Sequence, residues 1–128
     1  MIENKVVIKY KNGTLSKGKT NDFFPNKKEF HLNKIDGEMS KVSVEDLKAI
    51  FFVKSYEGNK DRKDNYKDEV AGGGRKVKVS FVDGETILGY TLGYSPDRQG
   101  FYLNPADLKN NNERIFVINS ATQKIDFI

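Results

Sequence analysis

The chain contains two copies of one short segment. Residues 5–13 (KVVIKYKNG) align without a gap with residues 76–84 (KVKVSFVDG), at a constant offset of 71 positions, the distance from Lys5 to Lys76. Identities at this offset continue through six further pairs: Gly18/Gly89, Thr20/Thr91, Pro25/Pro96, Phe30/Phe101, Leu32/Leu103 and Asn33/Asn104. Glycine, proline and alternating apolar residues are the types that dictate backbone shape. The chain is therefore interpreted as a tandem repeat of one small β unit.

The aligned segments carry the period of a half-buried β-strand. Val6, Ile8 and Tyr10 alternate with polar residues, with Val7 as the exception. In the second copy Val77, Val79 and Phe81 alternate with Lys78 and Ser80. Asn-Gly at 12–13 and Asp-Gly at 83–84 follow, which predicts a tight type I′ hairpin in each copy. Each second strand, predicted at 14–23 and 85–94, contains a central glycine, which indicates a sharp bend or a close backbone approach.

The remaining elements follow in the same order in both copies. Strands are predicted at 30–32, 41–44 and 49–53, with one helical turn at 45–48. The second copy has matching strands at 101–103, 115–118 and 124–128. We predict repeats at 1–53 and 76–128. Residues 54–75 are almost wholly polar and end in three glycines and an arginine, so we interpret them as an exposed linker.

Two predicted strands are apolar on both faces, at 50–53 and 115–118. A strand of an isolated small sheet alternates between polar and apolar residues, so burial on both sides predicts that these two strands meet at the contact between the repeats. The fold class expected is all-β, with two tandem five-stranded SH3-like or Sm-like small barrels packed as a pseudo-dimer. The outer strands, at 41–44 and 124–128, would leave open edges for self-association.

Composition excludes several classes of protein. Cysteine is absent, so neither disulfides nor thiolate metal sites can form. No apolar stretch has the length of a signal peptide or a membrane span, which predicts a cytoplasmic protein. The net charge of +4 is spread thinly: residues 1–53 carry ten basic and seven acidic side chains, and residues 76–128 carry six of each. This balance favours nucleic-acid binding only slightly.

The order of the elements resembles that of SH3-like and Sm-like barrels. Residues 77–89 look like the first hairpin of Sm-like proteins, and residues 115–128 like their final strands. In Sm-like rings the fourth strand of one subunit pairs with the fifth of the next, which implies pairing of 115–118 with 49–53. Residues 21–26 and 93–98 also resemble a bacterial family whose members occur alone or beside signalling domains such as PilZ. No Sm-like RNA motif and no PilZ cyclic di-GMP motif can be matched residue by residue.

No residue pattern predicts catalysis, a metal or a cofactor. His31 is the only histidine and is expected to face outward, opposite Phe30 and Leu32 in the strand register. Residues 36–38 (DGE) lack the ligand spacing of a calcium loop and are interpreted as a turn. Residues 72–74 (GGG) are not followed by the Lys-Ser/Thr of a phosphate loop. We therefore predict a protein that is not an enzyme.

Two groups of residues are candidates for recognition. Matching proline loops place aromatic beside polar side chains, a composition typical of binding surfaces and also of barrel ends. Their members are Phe23, Phe24, Pro25, Asn26, Tyr94, Pro96, Asp97 and Arg98. The second group is a possible anion site, because arginine offers bidentate recognition of carboxylate or phosphate. Scattered surface ion pairing is the favoured interpretation of these residues. Its members are Arg75, Arg98, Arg114, Asn111 and Asn112.

Two functions are compatible with these features. The first is a non-catalytic module that docks a protein partner in a bacterial signalling or regulatory assembly, through the proline loops and their aromatics. The alternative is a weak Sm-like binder of single-stranded nucleic acid, in which lysines of the first repeat act with the loop aromatics. These lysines are Lys9, Lys17, Lys19, Lys27 and Lys28.

Overall fold

The protein is all-β. The computed structural model describes residues 3–56, 74–105 and 112–128. No α-helix occurs in these ranges, and two 3₁₀ turns cover Val44–Asp46 and Asn119–Ala121. The strands are β1 (Asn4–Tyr10), β2 (Leu15–Thr20), β3 (Glu29–Lys34), β4 (Met39–Ser43), β5 (Leu47–Val53), β6 (Arg75–Phe81), β7 (Thr86–Thr91), β8 (Gly100–Pro105), β9 (Asn112–Ile118) and β10 (Thr122–Phe127).

All ten strands join one antiparallel sheet in the order β10-β6-β7-β8-β9-β5-β1-β2-β3-β4. Within each repeat the neighbours are the same, because the first strand lies between the second and the fifth in both. The repeats therefore share one local topology, as the offset of 71 predicts. The middle of the sheet is the pair β5–β9, which joins the two repeats, while β4 and β10 lie at the edges.

The predicted contact between the repeats is confirmed. Ile50 of β5 lies opposite Phe116 of β9, and Phe51 lies opposite Ile115. Residues on one face of this pair join the hydrophobic cluster of the first repeat, and residues on the other face join that of the second. Phe116 is thus fully buried in the core of the repeat to which it does not belong. Each repeat completes its core with a strand of the other, which explains why both strands are apolar on both faces.

The hairpins form where predicted, but they are not of type I′. Gly13 and Gly84 have φ of 91° and 92°, whereas no non-glycine residue has positive φ in the described ranges. A type I′ turn needs two such residues. The observed loops have three residues, with a glycine in the left-handed position. The side-chain oxygen of Asn12 accepts the N–H of Thr14 at 3.0 Å, and this bond holds the asparagine in a right-handed conformation.

The glycines inside β2 and β7 stand where backbones approach closely, as predicted. A Cβ added at Gly18 would lie 2.2 Å from the carbonyl oxygen of Asn33, and one at Gly89 would lie 2.4 Å from that of Asn104. Both second strands are shorter than predicted and end at a threonine. The sequence-based interpretation of 36–38 as a turn is confirmed, since Gly37 donates to the carbonyl of Lys34 at 2.9 Å.

Only the ends of the predicted linker fall within the described ranges. Tyr56 is half-buried, and its hydroxyl donates to the carbonyl of Gly18 at 2.9 Å, so the chain remains in contact with the first repeat up to this point. Arg75 already belongs to β6. Residues 57–73, which include the first two of the three glycines at 72–74, lie outside the described residues. In the described part of the chain, no helix has the length and apolar character needed to cross a membrane.

Lys48 is a buried cation that links the repeats. Its side chain leaves β5 and reaches the β6–β7 hairpin, where Nζ lies 2.7 Å from Asp83 and also contacts Glu85. Burial opposes the charged form, but the hydrogen bonds to both carboxylates outweigh it and raise the pKa of Lys48. The same hydrogen bond lowers the pKa of Asp83. The pair therefore stabilises the charged forms of both partners.

Replacing Lys48 with methionine is expected to lower the free energy of unfolding by about 1–2 kcal/mol at pH 7. Hydrogen bonds between charged groups contribute more to stability than hydrogen bonds between neutral groups. The two carboxylates are half-exposed, however, so water solvates them once the lysine is removed, and this limits the loss. Folding lowers the pKa of Asp83. The ion pair therefore stabilises the protein fully at a pH above the pKa of an unfolded aspartate, about 3.9. This stabilisation is lost as the pH falls through the pKa of Asp83 in the folded protein. Urea titrations of both proteins should therefore differ at pH 7 and converge as the pH falls below the lowered pKa of Asp83. An equal difference at both pH values would contradict this assignment.

Candidate functional site

A cleft of about 960 Å³ lies between the two proline loops, residues 21–28 and 92–99. The first repeat contributes Pro25, Asn26 and Lys28. The second repeat contributes most of the remaining lining, with Leu92 on one wall and Tyr102 on β8. The volume lies at the upper end of the range in which proteins hold small molecules or peptide side chains. We call it the proline-loop cleft.

The cleft exists because two neighbouring strands separate. The β7–β8 ladder contains only two residue pairs, Gly89 with Pro105 and Tyr90 with Asn104. Beyond them the strands diverge, and the hydroxyl of Thr91 bridges the gap by donating to the carbonyl of Tyr102 at 2.9 Å. On this side, Gly100–Leu103 has no strand partner in the described part of the chain. One edge of β8 therefore faces the cleft.

One side-chain amide joins the two proline loops, and another fixes the second loop to its own repeat. Nε2 of Gln99 donates to the carbonyls of Pro25 and Lys27, at 2.7 and 2.6 Å. Nδ2 of Asn119 donates to the carbonyls of Ser95 and Arg98, at 3.0 and 2.8 Å. Because Gln99 belongs to the second repeat and its acceptors to the first, the cleft depends on the docking of the repeats.

Aromatic side chains form one side of the cleft. The ring of Tyr102 packs edge-on against Phe116, with 5.1 Å between centroids, and Phe52 lies 6.3 Å away. The guanidinium of Arg114 lies 5.0 Å from the same tyrosine ring. Burial raises the pKa of Tyr102, and the nearby Arg114 only partly opposes this effect. The phenol therefore stays neutral at physiological pH and offers an apolar, cation-backed surface.

The rim of the cleft carries three exposed charged residues, Lys28, Asp97 and Arg98. Within residues 3–56, 74–105 and 112–128, no ion pair or side-chain hydrogen bond is found for any of them. By contrast, most other lysines of the first repeat have defined partners, such as Lys27, which donates to the carbonyl of Asp22 at 3.3 Å. Two cations at the rim are thus available to a ligand.

The predicted recognition residues divide into two groups. Pro25, Asn26, Asp97 and Arg98 line the cleft together. The aromatic neighbours mainly cap the cores: Phe23 is half-buried and packs on Phe30, Phe52 and Phe116, and Tyr94 packs on Phe101 and Phe127. Phe24 is 53% exposed, with the ammonium of Lys27 above its ring. Pro96 lines a smaller neighbouring cavity with Arg98.

The predicted anion-site residues are not all brought to the cleft. Arg98 lies on its rim, and Arg114 contacts the tyrosine in its wall. Arg75 instead stacks on Phe127, with 4.3 Å from the guanidinium to the ring centroid. Asn112 begins β9, and only its strand position is described, while Asn111 lies outside the described residues. Of the predicted arginines, only Arg98 lines the cleft.

Sequence reasoning missed several residues of the cleft. Lys28 was predicted only as one of the lysines of the alternative function. None of the remaining lining residues Leu92, Gly93, Gln99, Gly100, Tyr102 and Asn104 was predicted to take part in recognition. The alignment of the repeats could have drawn attention to Gly93, because this glycine aligns with an aspartate, Asp22, in the first repeat. The other residues are distant in sequence from the first loop, and only the pairing of β5 with β9 brings them near it.

The one histidine lies on the surface and outside the cleft. His31 faces outward, as expected, with its side chain 53% exposed. Its Nδ1 lies 2.7 Å from the carboxylate of Asp22. Burial acts to raise the pKa of Asp22, but hydrogen bonds from the ring and the N–H of His31 prevail and lower it. No group of three metal-ligating side chains is found among the residues described.

Comparison with known proteins identifies one family. A model described as Family of unknown function (DUF6982) matches residues 2–128. No curated protein matches the chain, and no solved structure does. Because the family model spans nearly the whole sequence and both repeats, the chain belongs to the DUF6982 family.

Proposed function

We propose that the protein is a non-catalytic binding module that receives a peptide segment of a protein partner in the proline-loop cleft. The observation that carries the proposal is the cleft itself, which both repeats build and which combines apolar walls with charged groups that have no partner in the described residues. Exposed apolar surface beside such groups is typical of recognition sites. Leu92, on the wall, is 78% exposed.

The proposal includes the finer architecture expected from the sequence. We describe the protein as two tandem SH3-like or Sm-like small barrels packed as a pseudo-dimer. Two separate hydrophobic clusters and the repeated strand order support this description. A module of this kind, acting in a cytoplasmic signalling or regulatory assembly, needs a rigid scaffold and a partner site. The shared strands β5 and β9 would supply the rigidity.

Self-association through the outer strands is a less favoured part of the proposal. In each repeat a 3₁₀ turn separates the fourth strand from the fifth, so β4 corresponds to β9 and β10 corresponds to β5. At equal distances from these turns, Lys41 of β4 corresponds to Phe116 of β9, and Asp126 of β10 corresponds to Phe51 of β5. Charges on edge strands are a common protection against edge-to-edge pairing. At these two positions the edges carry charges in place of the buried phenylalanines that hold the repeats together, although Ile125 and Phe127 of β10 keep the apolar character of Ile50 and Phe52.

The alternative function, weak binding of single-stranded nucleic acid, is favoured by one observation. Phe24 is exposed with Lys27 above its ring, a pairing of base-stacking and cationic groups. The other lysines do not assemble around it, since Lys9 pairs with Glu85 and Lys17 donates to the carbonyl of Tyr56. Anisotropy of labelled RNA across a salt series tests this alternative, because phosphate contacts make log affinity fall linearly with log salt.

Selection of random peptides on the full-length protein tests the main proposal. Gly93→Trp should fill the cleft without disturbing the fold, because nothing lies within 4 Å of a Cβ built there and φ is not positive. We expect enrichment of binding peptides on the natural chain and on the matched control Gly93→Ala. Enrichment should be lost on Gly93→Trp. Peptides that bind all three proteins equally, or no enrichment on any, would overturn the proposal.

A further inference from the structure

The two repeats differ at one position that bears on ligand chemistry. Asp22 in the first repeat aligns with Gly93 in the second. In the first repeat β2 and β3 pair at only two positions, as β7 and β8 do in the second. The carboxylate of Asp22 lies in the resulting gap. It accepts the main-chain N–H of His31 at 2.9 Å and the hydroxyl of Thr20 at 3.2 Å.

The second repeat has the same frame without the carboxylate. Thr91 takes the place of Thr20, and Tyr102 takes that of His31. The carbonyl of Tyr102 accepts from Thr91, so it points into the gap, and its N–H points the same way because both groups of a strand residue face one side. Gly93 has no side chain to accept this N–H. A Cβ at Gly93 would have open space around it.

The charges around this position match a carboxylate. In the first repeat Lys27 donates to the main chain of Asp22, and its counterpart in the second repeat is Arg98. Docking of the repeats adds Lys28 to the same cleft. Neither Arg98 nor Lys28 has an ion-pair partner in the ranges described. The rim also carries one carboxylate, that of Asp97, so its net charge is +1. A directed N–H donor and this net positive charge form a site for a carboxylate.

We propose that the proline-loop cleft binds a carboxylate of an extended peptide, which occupies in the second repeat the position that Asp22 occupies in the first. The carboxylate accepts the N–H of Tyr102 and pairs with Arg98 and Lys28. An apolar side chain of the peptide lies against Leu92. This inference rests on the proposed function. A peptide is favoured over small carboxylates because the cleft of about 960 Å³ has room for several residues and the exposed Leu92 offers them an apolar contact.

Fluorescence polarisation with defined probes tests the ligand. The probes are fluorescein-labelled octapeptides in which Phe or Leu alternates with Glu. In the matched control probes Gln replaces every Glu. The Gln probes are made in two forms, one with a free and one with an amidated C-terminus. We expect the Glu probes to bind the natural chain about tenfold more tightly than amidated Gln probes, as a charge-assisted hydrogen bond predicts. Tighter binding of only the free C-terminus would identify a terminal carboxylate as the source.

Substitutions at Gly93 test the site. Gly93→Asp supplies the carboxylate from the protein and should weaken binding of Glu probes at least tenfold. Lys124→Gln, which removes an exposed cation on β10 outside the cleft, should leave it unchanged. Arg98→Gln should weaken the same probes about fivefold, in line with the loss of one charged contact. Equal affinity of Glu and Gln probes, with binding still abolished by Gly93→Trp, would overturn the carboxylate inference and leave the proposed function intact. Binding of neither probe class, or binding unaffected by Gly93→Trp, would overturn both.

A measurement without ligand tests the geometry. In Gly93→Asp the backbone amide proton of Tyr102 should shift downfield and titrate with the introduced carboxyl group. The pKa of that group should lie below the ordinary value, as that of Asp22 does. An amide of Tyr102 that does not respond to pH, in a variant whose spectrum shows an intact fold, would overturn the proposed hydrogen bond.

Discussion

Phe116→Ala is expected to lower the free energy of unfolding by about 3–5 kcal/mol, a large part of the stability of a small protein. The ring is fully buried and contacts Phe23 and Tyr102 at centroid distances of 5.1 Å. Its strand belongs to the second repeat, but its side chain fills the core of the first. The substitution therefore opens a cavity at the contact on which both repeats depend.

Urea denaturation followed by fluorescence or circular dichroism measures this loss, with Phe24→Ala as the matched control. Phe24 is the same residue type but is 53% exposed, so its replacement should change stability by no more than about 0.5 kcal/mol. A loss below about 1.5 kcal/mol for Phe116→Ala would show that the two cores do not depend on each other. Two separate unfolding transitions in the variant would show that the repeats can unfold independently.

Gly89→Ala is expected to destabilise the protein by about 3 kcal/mol. The added methyl group would lie 2.4 Å from the carbonyl oxygen of Asn104, which belongs to the neighbouring backbone and cannot rotate away. The two residue pairs that hold β7 to β8 include this glycine. Separation of these strands would also distort the proline-loop cleft, since β8 forms part of its wall.

Gly93→Ala is the matched control for this prediction, because it makes the same chemical change a few residues away in open space. It should be neutral or slightly stabilising, through the reduced entropy of the unfolded chain. Thermal unfolding of both variants, with an expected difference of at least 10 °C for a chain of this size, decides the matter. Similar melting temperatures for the two variants would mean that the strands can move apart at little cost.

Much of the architecture was predictable because it depends on local sequence. The period-two pattern of Val6, Ile8 and Tyr10 defines a strand, and the constant offset of 71 defines the second copy of each element. The apolar runs at 50–53 and 115–118 led correctly to the β5–β9 pairing. The predicted turn type was wrong, because the prediction rests on the backbone preference of Asn-Gly and neglects the hydrogen bond that the side-chain oxygen of Asn12 accepts from the N–H of Thr14.

The candidate site was only partly predictable. Pro25, Asn26, Asp97 and Arg98 were singled out from the matching loops, and the structure brings them into one cleft. Phe23 and Tyr94 were expected among the recognition residues, but the structure packs both against the cores. Loop aromatics can face solvent or a core, and the choice depends on the space left by strands that are distant in the sequence.

By itself, the sequence determined the all-β class, the tandem repeat and the positions of the turns. It also determined the glycines at the close backbone approaches and the two strands that join the repeats. These features follow from residue spacing and from steric limits that act within a few residues. Only the tertiary structure decided that Lys28 and Arg98 share a cleft and that β8 has a free edge beside Gly93. It also placed Phe116 in the core of the first repeat. Such placements arise because burial and hydrogen bonding are settled between segments about 70 positions apart, where no local pattern records them.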